Sequence, residues 1–139
     1  VGMPEWVVHK TMEALNDHGK ALKGAKVLVL GLAYKKDIDD DRESPSYELI
    51  ELLRKRGAKV SYNDPHCPVI RPTREHPHLA GMKSVPLTSR SLASFDAVLI
   101  STDHSAYDYQ KIVNDAPLVV DTRNATKNVR KGRNKIVKA

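Results

Sequence analysis

The chain has 139 residues, 40% of them hydrophobic, which is enough for one globular domain with its own core. Its 23 Lys and Arg residues outnumber 17 Asp and Glu residues, and the net charge of +6 favours an anionic partner such as phosphate, nucleotide or nucleic acid. A single cysteine excludes an internal disulfide, and no signal peptide or membrane span is visible, so we expect a soluble part of a longer protein.

Helical and strand patterns alternate from the start of the sequence. Apolar residues at roughly helical spacing predict a helix from Pro4 to about Asn16, with Gly19 as its stop. The aliphatic run KVLVLGLA, residues 26–33, is typical of a strand that is buried on both faces of a parallel sheet.

A second helix is predicted after a highly charged loop. Ser44 suits the N-cap, Pro45 suits the first helical position, and Gly57 is placed to end the helix after about Arg56. The residues AKVSYND, 58–64, then predict a second strand, which completes a right-handed β-α-β unit. The apolar face of the helix should bury Tyr47, Leu49, Ile50, Leu52 and Leu53.

The second half of the chain continues the alternation after an irregular segment. Apolar residues show no helical or strand periodicity between Pro65 and Pro86. There we expect loops and a short strand near residues 83–85. The stretches FDAVLISTDH, SAYDYQKIVND and PLVVDTRN predict a strand, a short helix and a strand, and KIV predicts an edge strand. The pattern indicates the α/β class: a Rossmann-like, doubly wound, mainly parallel sheet with helices on both faces, preceded by an N-terminal helix.

Three predicted loops follow the carboxyl ends of strands, where open parallel sheets bind ligands: 31–44, 101–105 and 121–125. The first loop lacks the Gly-x-Gly-x-x-Gly turn that cradles a pyrophosphate, because only Gly31 is present. Basic side chains could hold phosphate instead, Arg by a bidentate fork and Lys as a point charge. Cations from separate loops could therefore converge at one edge of the sheet, namely Lys35, Lys36 and Arg42 from the first loop and Arg123 from the third.

The stretch VLVLGLAYKKDIDDDRESPSYELIELLRKRGAKVSYNDP, residues 27–65, resembles the start of the C-terminal domain of the UDP-glucose/GDP-mannose dehydrogenase family. Within that family it is most similar to bacterial UDP-N-acetylglucosamine or UDP-N-acetylmannosamine 6-dehydrogenases. The specific element is (Phe/Tyr)-Lys-x-(Asp/Asn)-x-x-Asp-x-Arg-Glu-Ser at 34–44, and the resemblance extends from MPEWVV to VVDTRN.

The resemblance implies a three-part enzyme with an N-terminal NAD-binding domain, a central helical region that forms a homodimer, and a C-terminal domain that grips the nucleotide. Such enzymes oxidise the C6 alcohol of a nucleotide sugar to a carboxylate in two NAD-dependent steps, through a cysteine-linked intermediate. Residues 1–20 would form a helix linking from the central region, and residues 21–139 would form the nucleotide-sugar-binding domain. The resemblance further implies a UDP-sugar rather than a GDP-sugar as substrate, and a cytoplasmic location.

The family's motif also implies roles for individual residues. Tyr34 and Lys35 occupy positions that contact the sugar nucleotide, and Arg123 matches a further substrate contact. Arg42 matches an arginine that reaches across the interdomain cleft to NAD. The family's nucleophilic cysteine segment, followed by Phe-Pro-Lys-Asp, does not occur in this sequence, so we expect no catalytic residue here and no activity of this chain alone.

Several of these residues also have purely structural interpretations. Lys35 and Arg42 could belong to a solvated, ion-paired loop, and Lys36 is expected to face solvent. Asp64 is expected to form a turn rather than to hold a ribose hydroxyl. Asp103 and His104 could line the cleft or cap a loop.

A histidine-rich segment follows the second predicted strand. Cys67 adjoins His66, but we expect an ordinary surface cysteine, because a nucleophile needs a base held at hydrogen-bonding distance. A zinc site formed by His66, Cys67, His76 and His78 is not favoured, because their spacing fits no familiar structural site. No metal is therefore expected.

Two other functions compete with the dehydrogenase interpretation. The chain could be a complete, non-enzymatic nucleotide-binding module. It could also bind nucleic acid through its positive charge and its basic tail, residues 127–138. The sequence has no recognition motif and only 5% aromatic residues, so we expect a solvated tail and no nucleic-acid partner.

Overall fold

A computed structural model describes residues 3–32, 45–72 and 76–139 of the chain. The predicted elements of the first half are present: α1 spans Met3–Asp17, β1 Lys26–Leu30, α2 Pro45–Lys55 and β2 Lys59–Asn63. The second half contains α3 at Ser89–Ser94, β3 at Ala97–Ile100, α4 at Tyr109–Asp115, β4 at Val119–Asp121 and β5 at Ile136–Lys138. Short 3-10 turns lie at Pro77–Leu79 and Arg133–Lys135.

The described strands form one sheet in which every pairing is parallel, in the order β2-β1-β3-β4-β5. The connections run one way from β1 to β2 and the other way from β3 to β5, so the strand order reverses between β1 and β3. Ligands bind at such a reversal in open α/β sheets, beyond the carboxyl ends of the strands. The predicted α/β, Rossmann-like class is confirmed.

Successive residues of β1 face opposite layers of the core, as the alternating geometry of a strand requires. Val27 and Val29 pack on the side of α1 and α2, whereas Leu28 and Leu30 pack on the side of α3 and α4. All four are fully buried. Helices on both faces therefore explain why this stretch reads as a continuous aliphatic run.

The first helix belongs to the core of the sheet-containing unit. Its residues Val7, Val8, Ala14 and Leu15 are buried in the same cluster as α2 and β1. The division of the chain at residue 20 stays a prediction. Among the helices that the structure describes, none combines the length and the hydrophobicity needed to cross a bilayer.

The helix α2 largely follows its predicted pattern. Tyr47, Leu49, Ile50 and Leu53 are buried, while Leu52 is only partly buried. Gly57 has a φ of 92°, and its amide donates to Arg54 O, which ends the helix as predicted.

The irregular segment between the second strand and α3 departs from the sequence analysis in two ways. The short strand expected near residues 83–85 is reduced to a single antiparallel bridge between Val69 and Lys83. The helix α3 was not predicted, because its six residues contain only one buried apolar side chain, Leu92. Its start depends on a capping box, in which Thr88 and Ser91 each accept the other's backbone N–H.

Replacing Thr88 with alanine is expected to lower the free energy of unfolding by about 1 kcal/mol, because the Ser91 amide loses its acceptor. Urea unfolding followed by circular dichroism measures this change. Thr88→Ser is the matched control, since it keeps the hydroxyl oxygen and should stay close to the wild-type midpoint. Equal midpoints for both variants would show that the cap does not stabilise α3.

Candidate functional site

The loops that leave the carboxyl ends of β1, β3 and β4 meet at Ser101. The Ser46 hydroxyl, at the start of α2, donates to Gly31 O at 3.0 Å and lies 2.6 Å from the Ser101 hydroxyl oxygen. On the other side, Arg123 Nε donates to Ser101 O at 3.0 Å. The described parts of the three predicted loops therefore converge, although they lie far apart in sequence.

Gly31 allows the closest approach between two of these loops. Its φ is 91°, a left-handed conformation that favours glycine. A Cβ at this position would overlap the side chain of Thr102 and lie 2.9 Å from the Thr102 amide nitrogen. The glycine thus serves close packing of the β1 and β3 exits rather than a phosphate-cradling turn.

A cavity of about 290 Å³ opens beside Arg123. Helices α1 and α2 supply its mainly apolar wall, and the ends of β3 and β4 supply its polar wall. Arg123 is exposed, and its bond to Ser101 uses only Nε, whereas a guanidinium carries four further N–H groups on its terminal nitrogens. This geometry suits an anionic group. The lining residues are Pro4, Val7, Pro45, Leu49, Ser101, Thr122 and Arg123.

The other predicted binding residues, Tyr34, Lys35 and Arg42, lie outside the described residues, as does Lys36, which is expected to face solvent. Arg123 is therefore the predicted ligand contact that the structure locates. The convergence of the remaining cations with Arg123 stays a prediction.

Asp121 fixes the loop that carries Arg123. One carboxylate oxygen accepts the amides of Arg123 and Ala125, and the other accepts the amide and the hydroxyl of Thr126. Lys138 also contacts this carboxylate, at 3.2 Å. Burial alone would raise the pKa of Asp121, but the hydrogen bonds from Thr126 and the backbone amides outweigh it and lower the pKa below its ordinary 3.8.

A second buried carboxylate joins the loops after β1, β2 and β3. Asp64 Oδ2 accepts the Leu32 amide at 2.7 Å and lies 2.9 Å from His104 Nε2, while Oδ1 accepts the His66 amide at 2.7 Å. Burial opposes ionisation, yet the hydrogen bonds from His104, Leu32 and His66 lower the pKa of Asp64. Because the carboxylate is charged, His104 Nε2 is the donor. The predicted turn-forming role of Asp64 is confirmed by its bond to His66.

The pair formed by Asp64 and His104 was not predicted, and His104 neither lines the cleft nor caps a loop by its side chain. Both side chains are fully buried. The Tyr109 hydroxyl donates to His104 O, and the Tyr107 hydroxyl donates to Asn63 O. Burial, together with the nearby Asp64 charge, raises the pKa of Tyr107 above its usual 10. The available signal was that both residues follow strand ends, which parallel pairing brings together.

Cys67 is buried, so the expectation of a surface cysteine is wrong. The Tyr62 hydroxyl contacts the carbonyls of Cys67 and Met82, which holds this loop against the edge of the sheet. Across the described ranges, no group of three His, Cys, Asp or Glu side chains is arranged to hold a metal ion. His76 and His78 instead lie 3.1 Å from opposite oxygens of Glu51.

The basic tail is bound to the fold rather than solvated throughout, which corrects the sequence-based expectation. Arg133 donates to the carbonyls of Thr126 and Val129. Lys135 donates to Val113 O and Asn114 O at the end of α4, and Lys138 contacts Asp121. These cations hold the last strand and the Arg123 loop in place.

A larger groove, of about 740 Å³, lies elsewhere on the surface, between the later turns of α2 and the 3-10 turn at Pro77–Leu79. It is lined by none of the strand-end residues described above. The convergence of loops at the strand reversal identifies the smaller cavity as the candidate site.

Comparison with known proteins agrees with the motif resemblance. Residues 28–128 match the model of the UDP-glucose/GDP-mannose dehydrogenase family, UDP binding domain. The chain is 34% identical over 130 residues to the UDP-glucose 6-dehydrogenase of Rickettsia bellii, covering 89% of this chain and 29% of that protein. It is 30% identical over 105 residues to the UDP-N-acetyl-D-mannosamine dehydrogenase of Methanococcus maripaludis, covering 76% of this chain and 22% of that protein.

A solved structure shares the fold over nearly the whole chain. The NDP-N-acetyl-D-galactosaminuronic acid dehydrogenase of Methanosarcina mazei Go1 superposes with a TM-score of 0.76 at 30% identity, over 99% of this chain and 29% of that one. The chain thus spans less than a third of the length of these relatives. The extent of the family match and the shared parallel sheet show that this chain belongs to the UDP-glucose/GDP-mannose dehydrogenase family and contains its UDP-binding domain.

Proposed function

We propose that this chain is the UDP-sugar-binding domain of an NAD-dependent nucleotide-sugar 6-dehydrogenase. The observation that carries the proposal is Arg123, which is anchored by Ser101 O beside the cavity at the strand reversal. The two sequence relatives from Rickettsia bellii and Methanococcus maripaludis are dehydrogenases of UDP-sugars, which supports a UDP-sugar as substrate. The full enzyme would oxidise the sugar C6 alcohol to a carboxylate in two steps.

In this proposal, residues from two separate loops bind one nucleotide sugar. Arg123 presents its planar guanidinium to the diphosphate, and Asp121 holds the backbone of its loop. Tyr34 and Lys35 belong to the loop that begins just after Leu32 and would complete the substrate contacts. Arg42 would extend toward NAD in the neighbouring part of the enzyme.

NAD would accept the two hydrides released in the oxidation, but the described residues of this chain do not fit it as a resident cofactor. The β1 exit has Gly31 alone in place of a glycine-rich turn. Asp64, at the strand end where dinucleotide-binding folds use an acid for the ribose, is buried and occupied by Leu32, His66 and His104. NAD is therefore proposed to bind mainly to a separate domain.

The remaining features of the proposal concern the assembled enzyme. Residues 1–20 would link to a central dimerisation region, and residues 21–139 would form the substrate-binding domain of a cytoplasmic homodimer. The catalytic cysteine would lie outside this chain. Cys67 is buried, which makes it unsuited to nucleophilic attack on a bound substrate.

Replacing Arg123 with alanine is expected to weaken UDP binding by at least about tenfold, because a charge-assisted bidentate contact is lost. Isothermal titration calorimetry of the 139-residue chain with UDP measures the effect, with GDP as the comparison ligand. Lys35→Ala should weaken UDP binding in the same direction.

Arg90→Ala is the charge-matched control, because Arg90 is an exposed residue of α3, on the other face of the sheet. It should bind UDP like the wild type. Unchanged UDP binding by Arg123→Ala and Lys35→Ala would contradict the site assignment. Equal weakening by Arg90→Ala would show that net charge, rather than a site, attracts the ligand.

A further inference from the structure

The last strand, β5, carries a lysine whose ammonium group is shared by three acceptors of the Arg123 loop, residues 121–126. Lys138 Nζ donates to Asn124 Oδ1 at 2.8 Å. It also contacts Asp121 Oδ2 at 3.2 Å and Thr126 Oγ1 at 3.3 Å. An ammonium has three N–H donors, so these three contacts use its full capacity. Lys138 therefore ties both ends and the middle of the loop to β5.

The contacts of Lys138 hold a particular backbone shape. An ion pair with a half-exposed lysine adds little to stability, because water can replace the ammonium. The turn that it holds, however, includes Asn124 at a φ of 57°, in the left-handed region that few residues other than glycine and asparagine adopt. Arg123 directly precedes Asn124, so this turn sets the direction in which the arginine leaves the backbone.

Arg123 itself is held by single hydrogen bonds at accessible positions. Its amide donates to Asp121 Oδ1, and its Nε donates to Ser101 O, both at 3.0 Å. A bidentate contact with phosphate requires the planar guanidinium in one orientation. An arginine on a loosened loop would have to lose that freedom on binding, which lowers affinity.

We propose that Lys138 is a positioning residue for UDP binding: from β5 it closes the Arg123 loop and so keeps the Arg123 guanidinium beside the cavity at the strand reversal. This inference rests on the proposed function, since it concerns the same site. Lys138 does not line that cavity and acts through Asp121, Asn124 and Thr126.

The test is calorimetric titration of the 139-residue chain with UDP. Lys138→Met keeps the length of the side chain but removes its donors, and it should weaken UDP binding about fivefold. Lys138→Arg keeps a charged donor and should recover most of the affinity. Lys127→Met is the charge-matched control, because Lys127 is an exposed lysine immediately after the loop, and it should stay within about twofold of the wild type.

A double-mutant cycle separates positioning from direct attraction of the ligand. In the Arg123→Ala background, Lys138→Met should cause no further loss of UDP affinity, because Lys138 acts only through Arg123. A second loss of the same size would overturn the positioning role. Wild-type affinity of Lys138→Met, or equal weakening by Lys127→Met, would overturn it as well.

Asn124→Gly tests the same link from the loop, should Lys138→Met fail to fold. It removes the nearest acceptor of Lys138, while glycine accepts the positive φ without strain. UDP binding should weaken about threefold, and unchanged affinity would contradict the inference. If Arg123→Ala weakens UDP binding but these variants do not, only the role of Lys138 fails. If the wild type does not bind UDP saturably, the proposed function itself fails.

Discussion

Gly31→Ala is expected to lower the free energy of unfolding by about 4 kcal/mol, combining a left-handed backbone penalty with steric overlap. The added methyl group would meet the side chain of Thr102 and also its backbone nitrogen, which cannot move aside without distorting β3. Because Gly31 begins the predicted binding loop, UDP binding should be lost as well. Urea unfolding and a UDP titration of the same sample measure both effects.

Gly24→Ala separates the two causes. Gly24 also has a positive φ, of 84°, but an added Cβ would meet no heavy atom within 4 Å. Its replacement should therefore show the backbone penalty alone, about 1 kcal/mol. If Gly31→Ala costs no more than Gly24→Ala, the β1 and β3 exits are not as closely packed as described.

Asp121→Asn is expected to lower the free energy of unfolding by about 3 kcal/mol at neutral pH, because an amide cannot accept all the buried hydrogen bonds that the carboxylate accepts. The amides of Arg123 and Ala125 use one oxygen, and Thr126 uses the other. Whichever oxygen is replaced by NH₂, at least two buried or partly buried donors lose their acceptor. Urea unfolding as a function of pH is the measurement.

The pH dependence of this variant has a definite sign. The pKa of Asp121 is lower in the folded chain than its ordinary value of 3.8, so the unfolded chain takes up the proton first as the pH falls. The contribution of the ionised carboxylate to the free energy of unfolding is complete above about pH 4. It is lost below that, as the pH falls through the folded-state pKa. The difference in the free energy of unfolding between wild type and Asp121→Asn should therefore decrease as the pH is lowered.

Asp115→Asn provides the matched control. Asp115 also has a lowered pKa, owing chiefly to its bond from Ser89 and to Lys111, but it is not buried like Asp121. Water can replace these partners, so this variant should be much less destabilised. A similar loss for both variants would show that burial of Asp121 is not the cause.

The sequence was most informative where local pattern and tertiary environment agree. The aliphatic run at 26–30 predicts a strand covered on both faces, and β1 is one. Pro45 and Gly57 mark the ends of α2 by their backbone preferences, which hold in any tertiary context. Arg123 was identified as a candidate ligand because it directly follows a predicted strand.

The sequence was least informative where a residue depends on a distant partner. His104 is buried because Asp64, 40 positions away, accepts a hydrogen bond from its ring, and no local pattern reveals that pairing. Cys67 is buried because the Tyr62 hydroxyl donates to the Cys67 carbonyl and so holds the following loop against the sheet. The helix α3 is too short for a periodic signal and depends on its Thr88 cap instead. The strand order likewise follows from packing of whole elements.

The brevity of β5 has a consequence for self-association. Within the described part of the chain, Ile136–Lys138 alone pairs with the outer hydrogen-bonding edge of β4, whose residues Val119–Asp121 are buried. Whenever β5 detaches, the backbone N–H and C=O groups along the edge of β4 are unpaired. That edge can then pair with a strand from another molecule. We therefore expect the onset of aggregation in partly unfolded samples to follow the detachment of this short strand rather than melting of the whole sheet.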